Sequence, residues 1–324
     1  MAEIAPPCDL AEVLDRLHVV ALPMRVRFRG ISVREVALID GPCGWGEFGA
    51  FTEYGPAEAA HWLAAGLESA YRPSPVPLRD RIAINATVPA VPAAQVPEIL
   101  ARFPGATTAK VKVAERGQRL ADDVARVEAV RERVPVVRVD ANGGWNVAEA
   151  VTAARALTAT GHLEYLEQPC ATVPELAELR GLVDVPVAAD ESIRKADDPL
   201  RVVAERAADI AVLKVAPLGG VSRMLTVAAQ IGIPVVVSSA LDSAVGLSAG
   251  LLAAGCLPRL EHACGLGTGS LFAEDVADVA APADGFLPVA AVTPDPARLS
   301  GLAAKGERRD WWIQRVRDCW AHLS

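Results

Sequence analysis

T-A-K-V-K-V at 108–113, V-V-R-V-D-A-N at 136–142, L-E-Y-L-E-Q-P at 163–169 and V-P-V-A-A-D-E at 185–191 decide the fold. Each is a short β-branched or apolar run with charged residues in it or at its C-terminal end. The polar residues keep step along the chain. Lys112 to Asp140 is 28 residues, Asp140 to Glu167 is 27 and Glu167 to Asp190 is 23. From Asp190 to Lys214, Lys214 to Ser238 and Ser238 to His262 the step is 24 each time. A strand, a crossover helix and two short loops take roughly 20–30 residues.

The same ruler extends outward. R-I-A-I-N-A (81–86) precedes the series, and I-A-V-L-K-V-A-P (210–217), P-V-V-V-S-S-A (234–240) and R-L-E-H-A-C (259–264) follow it. Between the runs lie helical patterns such as 118–134 and 146–160, the second opened by Asn146 with Glu149 three residues on. Eight strand–helix units predict a (β/α)₈-type barrel over 81–284. No Gly-rich loop follows the first strand, as an open dinucleotide-binding sheet would require.

Residues 1–80 ignore the ruler. V-V-A-L-P-M-R-V-R-F (19–28), I-S-V-R-E-V-A-L-I-D (31–40) and G-W-G-E-F-G-A-F (44–51) read as an antiparallel meander with turns at Gly30 and Asp40-Gly41. A helix over 57–70 and a Pro-rich linker over 72–80 follow. The tail, D-W-W-I-Q-R-V-R-D-C-W at 310–320, also falls outside the count. Its adjacent tryptophans are expected to fold back on the N-terminal unit. The expected organisation is therefore a discontinuous α+β capping domain, 1–80 plus 285–324, around an α/β barrel.

Composition narrows the function. The 324 residues carry a formal charge of −8, with 52% apolar residues, which excludes a disordered chain and argues against a nucleic-acid partner. The acidic N-terminus lacks the order of a signal peptide. The uncharged segment 243–258 is shorter than the roughly 20 residues of a membrane span and is expected to be a buried helix. Six scattered cysteines without a C-x-x-C pair suit reduced thiols in a cytoplasm. No protein partner is evident.

The charges carry the chemistry. Lys110 and Lys112 lie two apart and so on one strand face. Lys214 stands four strands further round the ring. Between them Asp140, Glu167 and Asp190 end three successive strands, about 4.8 Å apart, on the rim where barrels of this type build active sites. A single acid after a strand is ordinarily a helix cap, and a single K-x-K an exposed edge. The ordered set of lysines, three acids and a further lysine is harder to explain so. Three clustered carboxylates repel unless a cation joins them, and an all-oxygen set selects Mg²⁺ over zinc. Such a site would bind a small carboxylate substrate and stabilise the enolate left by loss of its α-proton, with a lysine on either face.

K-V-K (110–112), V-D-A-N (139–142), E-Q-P (167–169), A-D-E-S (189–192) and V-L-K (212–214) resemble the muconate-lactonizing branch of the enolase superfamily. The resemblance covers essentially the whole chain and implies an enolase-like, modified barrel with its cap. It implies Asp140, Glu167 and Asp190 as Mg²⁺ ligands, Lys112 as base and then acid, and Lys214 as the charged group on the opposite face. Lys110 would help hold the substrate carboxylate, and Asn142 would be a supporting or turn residue.

The short length, R-F-R-G-I (27–31) and G-W-G-E-F-G-A-F-T-E-Y (44–54) resemble members that remove water from a succinyl-bearing cyclohexadiene carboxylate on the way to menaquinone. The loop 46–54 would then close over the barrel, with Phe48, Phe51 and Tyr54 as candidate contacts. Ser238, Ser239 and the G-L-G-T-G at 265–269, Gly265 first, would hold the succinyl carboxylate through backbone N–H groups. His262 points to the same end in this reading, as a structural residue. An N-succinylamino acid racemase or a dipeptide epimerase would use the same lysines. Dipeptide epimerases resemble one another in a D-x-D after the eighth strand, where this chain reads E-H-A-C-G-L-G. A non-catalytic barrel would not need the complete set, and a Schiff-base aldolase at Lys214 would leave the acids without a task.

Overall fold

The computed structural model describes residues 8–28, 30–194, 198–278 and 282–323. Arg29, inside the R-F-R-G-I motif, and the first seven residues lie outside them. Alternating apolar residues between turn signals give the expected meander: β1 (Leu17–Phe28), β2 (Ile31–Gly41) and β3 (Gly44–Phe48), paired antiparallel in that order. The helix Pro56–Tyr71 covers it. The two elements approach so closely that a Cβ on Gly46 would sit 1.9 Å from the Gly66 carbonyl oxygen, so a side chain there would force them apart.

A ring follows. β4 (Arg81–Ala83) precedes seven parallel strands: β5 (Ala86–Val88), β6 (Thr108–Lys112), β7 (Val136–Asp140), β8 (Leu166–Glu167), β9 (Val187–Ala189), β10 (Ile210–Leu213) and β11 (Val235–Val237). They lie side by side in chain order. The ring closes through two isolated parallel bridges, Ile84 to Cys264 and Ser238 to Gly265. The run 259–264 is thus no regular strand, although its last residue performs the closure. R-I-A-I-N-A is not one strand either. Ile84 N–H donates to Gly285, whereas Asn85 N–H donates to Cys264. These are its two edges: Cys264 flanks one, bonding Ala83 as well, while β4 pairs antiparallel with β12 (Phe286–Pro288) and β5 pairs in parallel with β6 in the barrel.

The helices agree with their patterns. Leu120–Arg131 lies within the expected 118–134, and Val147–Thr158 begins on a capping box made by Asn146 and Glu149. The segment at 243–258 forms Ala244–Cys256, with its N-terminus capped by Ser243. Among the described residues no helix is long and apolar enough to cross a membrane.

Three apolar clusters result. One lies in and around the barrel wall, and a small one, Tyr165, Ala188, Ile210, Val212 and Val236, is separate from it. The third joins the meander, the covering helix, Ala240, Leu241, Val245 and Leu271 to the C-terminal helix Glu307–Trp320. Trp312 is buried there, edge-on to Phe48 with ring centroids 5.5 Å apart, and donates its indole N–H to Glu35 at 3.0 Å. Leu287 and Val289 still belong to the barrel cluster, and Val292 to the cap cluster.

Candidate active site

Strand register puts the charged side chains on one level. Lys112 pairs with Asp140 between β6 and β7, and Asp140 with Glu167 between β7 and β8. Asp190 follows the end of β9, and Lys214 the end of β10. All three acids are at most 1% exposed. Burial of like charges on this scale demands compensation, and lysines supply it. Lys110 donates to Glu167 Oε1 at 2.6 Å and Asp140 Oδ2 at 3.1 Å. Lys112 donates to the same Asp140 oxygen at 2.5 Å and to Asn142 Oδ1 at 2.7 Å. Lys214 donates to Asp190 Oδ2 at 2.5 Å. Three carboxylates face three ammonium groups.

These pairings set the protonation states. Burial pushes the Asp140 carboxyl up, but Lys112 and Lys110 overcome it and hold the group well below its usual range. Asp190 ends at about 2, because Lys214 and Arg194 outweigh its burial. Burial and the neighbouring Asp140 push Glu167 up to about 7 against the pull of Lys110. The lysines diverge. Lys110, between two acids, is raised despite its burial. Lys112 is lowered, by burial first and by the Lys110 charge beside it. Of this pair, Lys112 is the one prepared to give up its proton.

A cavity of about 40 Å³ lies over the group. Lys110, Lys112, Asp140, Asn142, Lys214, Ser238, Ser239 and Gly265 line it, with Phe28, Thr87, Leu241 and Thr268. Glu167 and Asp190 reach it through Lys110 and Lys214. Asn142 has φ of +47° and so turns the chain, while its side chain orients Lys112 and donates to Glu191 at 3.1 Å.

Three expectations need correction. The cap residue over the cavity is Phe28, at the tip of β1, whose ring lies 5.6 Å from the Lys112 ammonium. Phe48, Phe51 and Tyr54 instead build the cap core. The Gly265 N–H is spent on the Val237 carbonyl at 2.8 Å, so it offers no anion site. Position 265 excludes a side chain for another reason: a Cβ would lie 2.4 Å from Ser238 Oγ. Ser239 is hydrogen-bonded to Thr268 at 2.6 Å. Finally, His262 bonds to Glu164 at 2.8 Å, beside Arg138, at the end of the strands away from the lysines.

Two supports escaped sequence reasoning. The amide of Gln168, inside E-Q-P, accepts from the N–H groups of Asp190 and Ser192 and donates to Ser192 Oγ and the Cys170 carbonyl. It ties the ends of β8 and β9 together. Arg194 donates to Asp190 and to the cap residue Tyr54. The E-Q-P motif was the signal for the first; nothing local pointed to the second.

Among the described residues no three His, Cys, Asp or Glu side chains are already gathered as a ligand cage, because the acids turn to ammonium groups. Their chemistry nevertheless suits a hard divalent cation. The donors are all carboxylate oxygens, and Glu167 Oε2 is buried without a hydrogen-bond partner.

Comparison with known proteins agrees with this fold. The family model "Enolase C-terminal domain-like" matches residues 94–298, and "Enolase N-terminal domain-like" matches 19–70. Among solved structures, muconate lactonizing enzyme from Pseudomonas fluorescens is 22% identical with a TM-score of 0.74, covering 89% of this chain and 98% of its own. An N-succinyl Arg/Lys racemase from Bacillus cereus is 20% identical with a TM-score of 0.72, covering 89% and 97%. These share the fold. A protein named o-succinylbenzoate synthase in Mycolicibacterium smegmatis is 74% identical over 96% of this chain and 97% of its own. Its namesake in Mycobacterium leprae is 71% identical over 97% and 94%. Identity at this level along the full length, on an enolase-type cap and barrel, means that the chain belongs to the o-succinylbenzoate synthase family of the enolase superfamily.

Proposed function

We propose that Lys112 and Lys214 carry out the reaction of this family, the loss of water from 2-succinyl-6-hydroxy-2,4-cyclohexadiene-1-carboxylate to give o-succinylbenzoate for menaquinone. By family the chain is a hydro-lyase acting on a small molecule. One observation carries the residue assignment: the two lysines face one cavity from the ends of β6 and β10, four strands apart, with the acids between.

Lys112, its pKa lowered by burial, takes the α-proton at Nζ. It then returns that proton to the departing hydroxyl on the same face, so that water leaves and the ring becomes aromatic. Lys214 stays charged and stabilises the enolate from the other side. Lys110 steadies the carboxylate end, and Asn142 holds Lys112 in line. Ser238 and Ser239, with Gly265 leaving them room, face the succinyl chain.

Asp140, Glu167 and Asp190 would hold the divalent cation on which the family depends, and Mg²⁺ is our assignment from the oxygen donors. When bound, it supplies positive charge to the carboxylate oxygens on which negative charge develops. The cavity admits only a few waters, each needing roughly 10–15 Å³, so its lining must open for substrate to enter. We assign 1–80 and the C-terminal segment after about 289 to the cap, and the remainder to the barrel. Six free cysteines support a cytoplasmic location.

The test is the loss of ultraviolet absorbance of the cyclohexadiene substrate with Mg²⁺ and with EDTA. Fast, ion-dependent loss is expected. A folded, Mg²⁺-binding protein without turnover would defeat the substrate assignment and favour N-succinylamino acids, which need the same two lysines.

A further inference from the structure

Arg194 lies one helical turn beyond Asp190 in the short helix Glu191–Arg194, and its side chain is almost wholly buried. Each guanidinium nitrogen has its own acceptor. Nε donates to Asp190 Oδ1 at 3.2 Å, Nη2 to Glu191 Oε1 at 2.7 Å and Nη1 to the Tyr54 hydroxyl at 2.7 Å. The first two acceptors lead into the site. Asp190 uses its other oxygen for Lys214, and Glu191 Oε1 also accepts from Asn142, which in turn holds Lys112. The third leads out of it, to the cap.

Tyr54 is 140 positions away in sequence. Its ring packs with Phe51 and Trp62 in the cap core, and Arg315 of the C-terminal helix donates to the Phe51 and Tyr54 carbonyls at 2.8 and 2.9 Å. The segment is therefore held rigidly on the cap side, and its hydroxyl meets the barrel at Arg194. Burying a guanidinium between two acids and a phenol is an expensive way to fill space, because apolar residues of equal volume serve packing as well or better. A planar fork that must satisfy three acceptors at once is instead a device of orientation.

We propose that Arg194 is a positioning residue that couples seating of the cap, through Tyr54, to the carboxylate of Asp190 and hence to the divalent-ion site. This rests on the assignment of Asp190 as an ion ligand. When the cap is seated, the guanidinium is fixed by the phenol and holds Asp190 Oδ1, leaving Oδ2 toward the cavity. When the cap lifts, Arg194 loses one acceptor and Asp190 is less well oriented. Coupling of this kind is reciprocal: whatever the cap does for the ion, the ion does for the cap.

The test uses the whole chain stripped of metal. Mg²⁺ affinity is measured by calorimetry, and hydrogen exchange of segment 49–56 is followed with and without Mg²⁺, for the wild type, Tyr54→Phe, Arg194→Lys and the double variant. In the wild type Mg²⁺ is expected to slow exchange in that segment. Tyr54→Phe keeps the ring and its packing but should weaken Mg²⁺ binding several-fold and abolish the ion's effect on exchange. Arg194→Lys keeps the charge beside Asp190 without the fork, and should behave the same way. The double variant should be no worse than either single one, because both break one connection. Wild-type Mg²⁺ affinity in Tyr54→Phe, with the exchange response intact, overturns the coupling and leaves the reaction assignment standing. A folded wild type that binds no divalent ion overturns the ligand assignment, and the coupling with it.

Discussion

Among the described residues two clusters of three buried acids stand out, and they are compensated in different ways. In the site, Asp140, Glu167 and Asp190 face three lysines. At the seam between cap and barrel, Glu47, Asp242 and Asp275 meet backbone N–H groups at and near the N-terminus of Ala244–Cys256, with Arg34 near Glu47 and Asp242, and Arg298 acting on Asp275. Glu47 accepts from the Ser243 N–H at 2.9 Å, the Ser243 hydroxyl and the Gly246 N–H at 3.2 Å. Asp275 accepts from the Ala244 N–H at 3.0 Å, and Asp242 from the Ala240 N–H at 3.0 Å. Arg34 donates to the carbonyls of Leu241 and Gly49 and so fastens cap to barrel.

Backbone dipoles and these more distant cations do not offset three desolvated charges. Burial, with Asp242 nearby, pushes Glu47 up to about 8, and burial pushes Asp275 up to about 6. In the site, the lysine ammonium groups hold Asp140 and Asp190 ionised. Burial of the same residue types thus leaves Glu47, Asp242 and Asp275 raised at the seam, whereas in the site Asp140 and Asp190 are held ionised and Glu167 alone is raised. The counter-charge nearest each acid decides the direction.

The comparison can be broken at either end. The largest expected effect is at the site. Lys112→Ala should lower the dehydration rate by about 10²–10⁴-fold, the usual contribution of a positioned base. More than about a hundredth of the rate remaining in the absorbance assay would remove the base assignment. Glu167→Gln should weaken Mg²⁺ binding by at least about tenfold, a loss typical even of groups that only support a ligand. An unchanged calorimetric titration would take Glu167 out of the ligand set.

Gly265→Ala should cost about 1–3 kcal/mol through overpacking against Ser238, read as a lower denaturation midpoint. An unaltered midpoint would mean that the strand closure yields easily. The last test is at the seam and is read as a slope against pH. Glu47 binds its proton more tightly folded than unfolded, so its contribution is complete below its ordinary value of 4.5 and is lost as pH rises toward about 8. Stability should fall over that window by up to about 1.4 kcal/mol per pH unit for one proton. Glu47→Gln should flatten melting temperature against pH there while leaving Mg²⁺ affinity as it was. Equal slopes for the two proteins would show that Glu47 is ionised in the native state.

The barrel was legible because it repeats. Each β-branched run and each helix is a local pattern, and Asn146 with Glu149 caps its helix by contacts three residues apart. The lysines and acids were legible for the same reason. They end successive strands of similar spacing, and parallel pairing in order brings those ends to a shared level. R-I-A-I-N-A misled because β4 pairs with the distant β12 and β5 with β6, and nothing in the run itself encodes that.

The sequence by itself therefore determined the ring, its cap and the ten residues that gather at or just beneath its mouth. Periodicity and strand order are short-range properties of the chain. Only the tertiary structure decided that Phe28 and not the 48–54 aromatics covers the lysines, that Gly265 makes room for Ser238, and that Arg194 answers to Tyr54. Those choices rest on contacts between segments far apart in the chain. Their energies depend on which side chains and carbonyls meet when the cap comes down on the barrel, and no local pattern records that meeting.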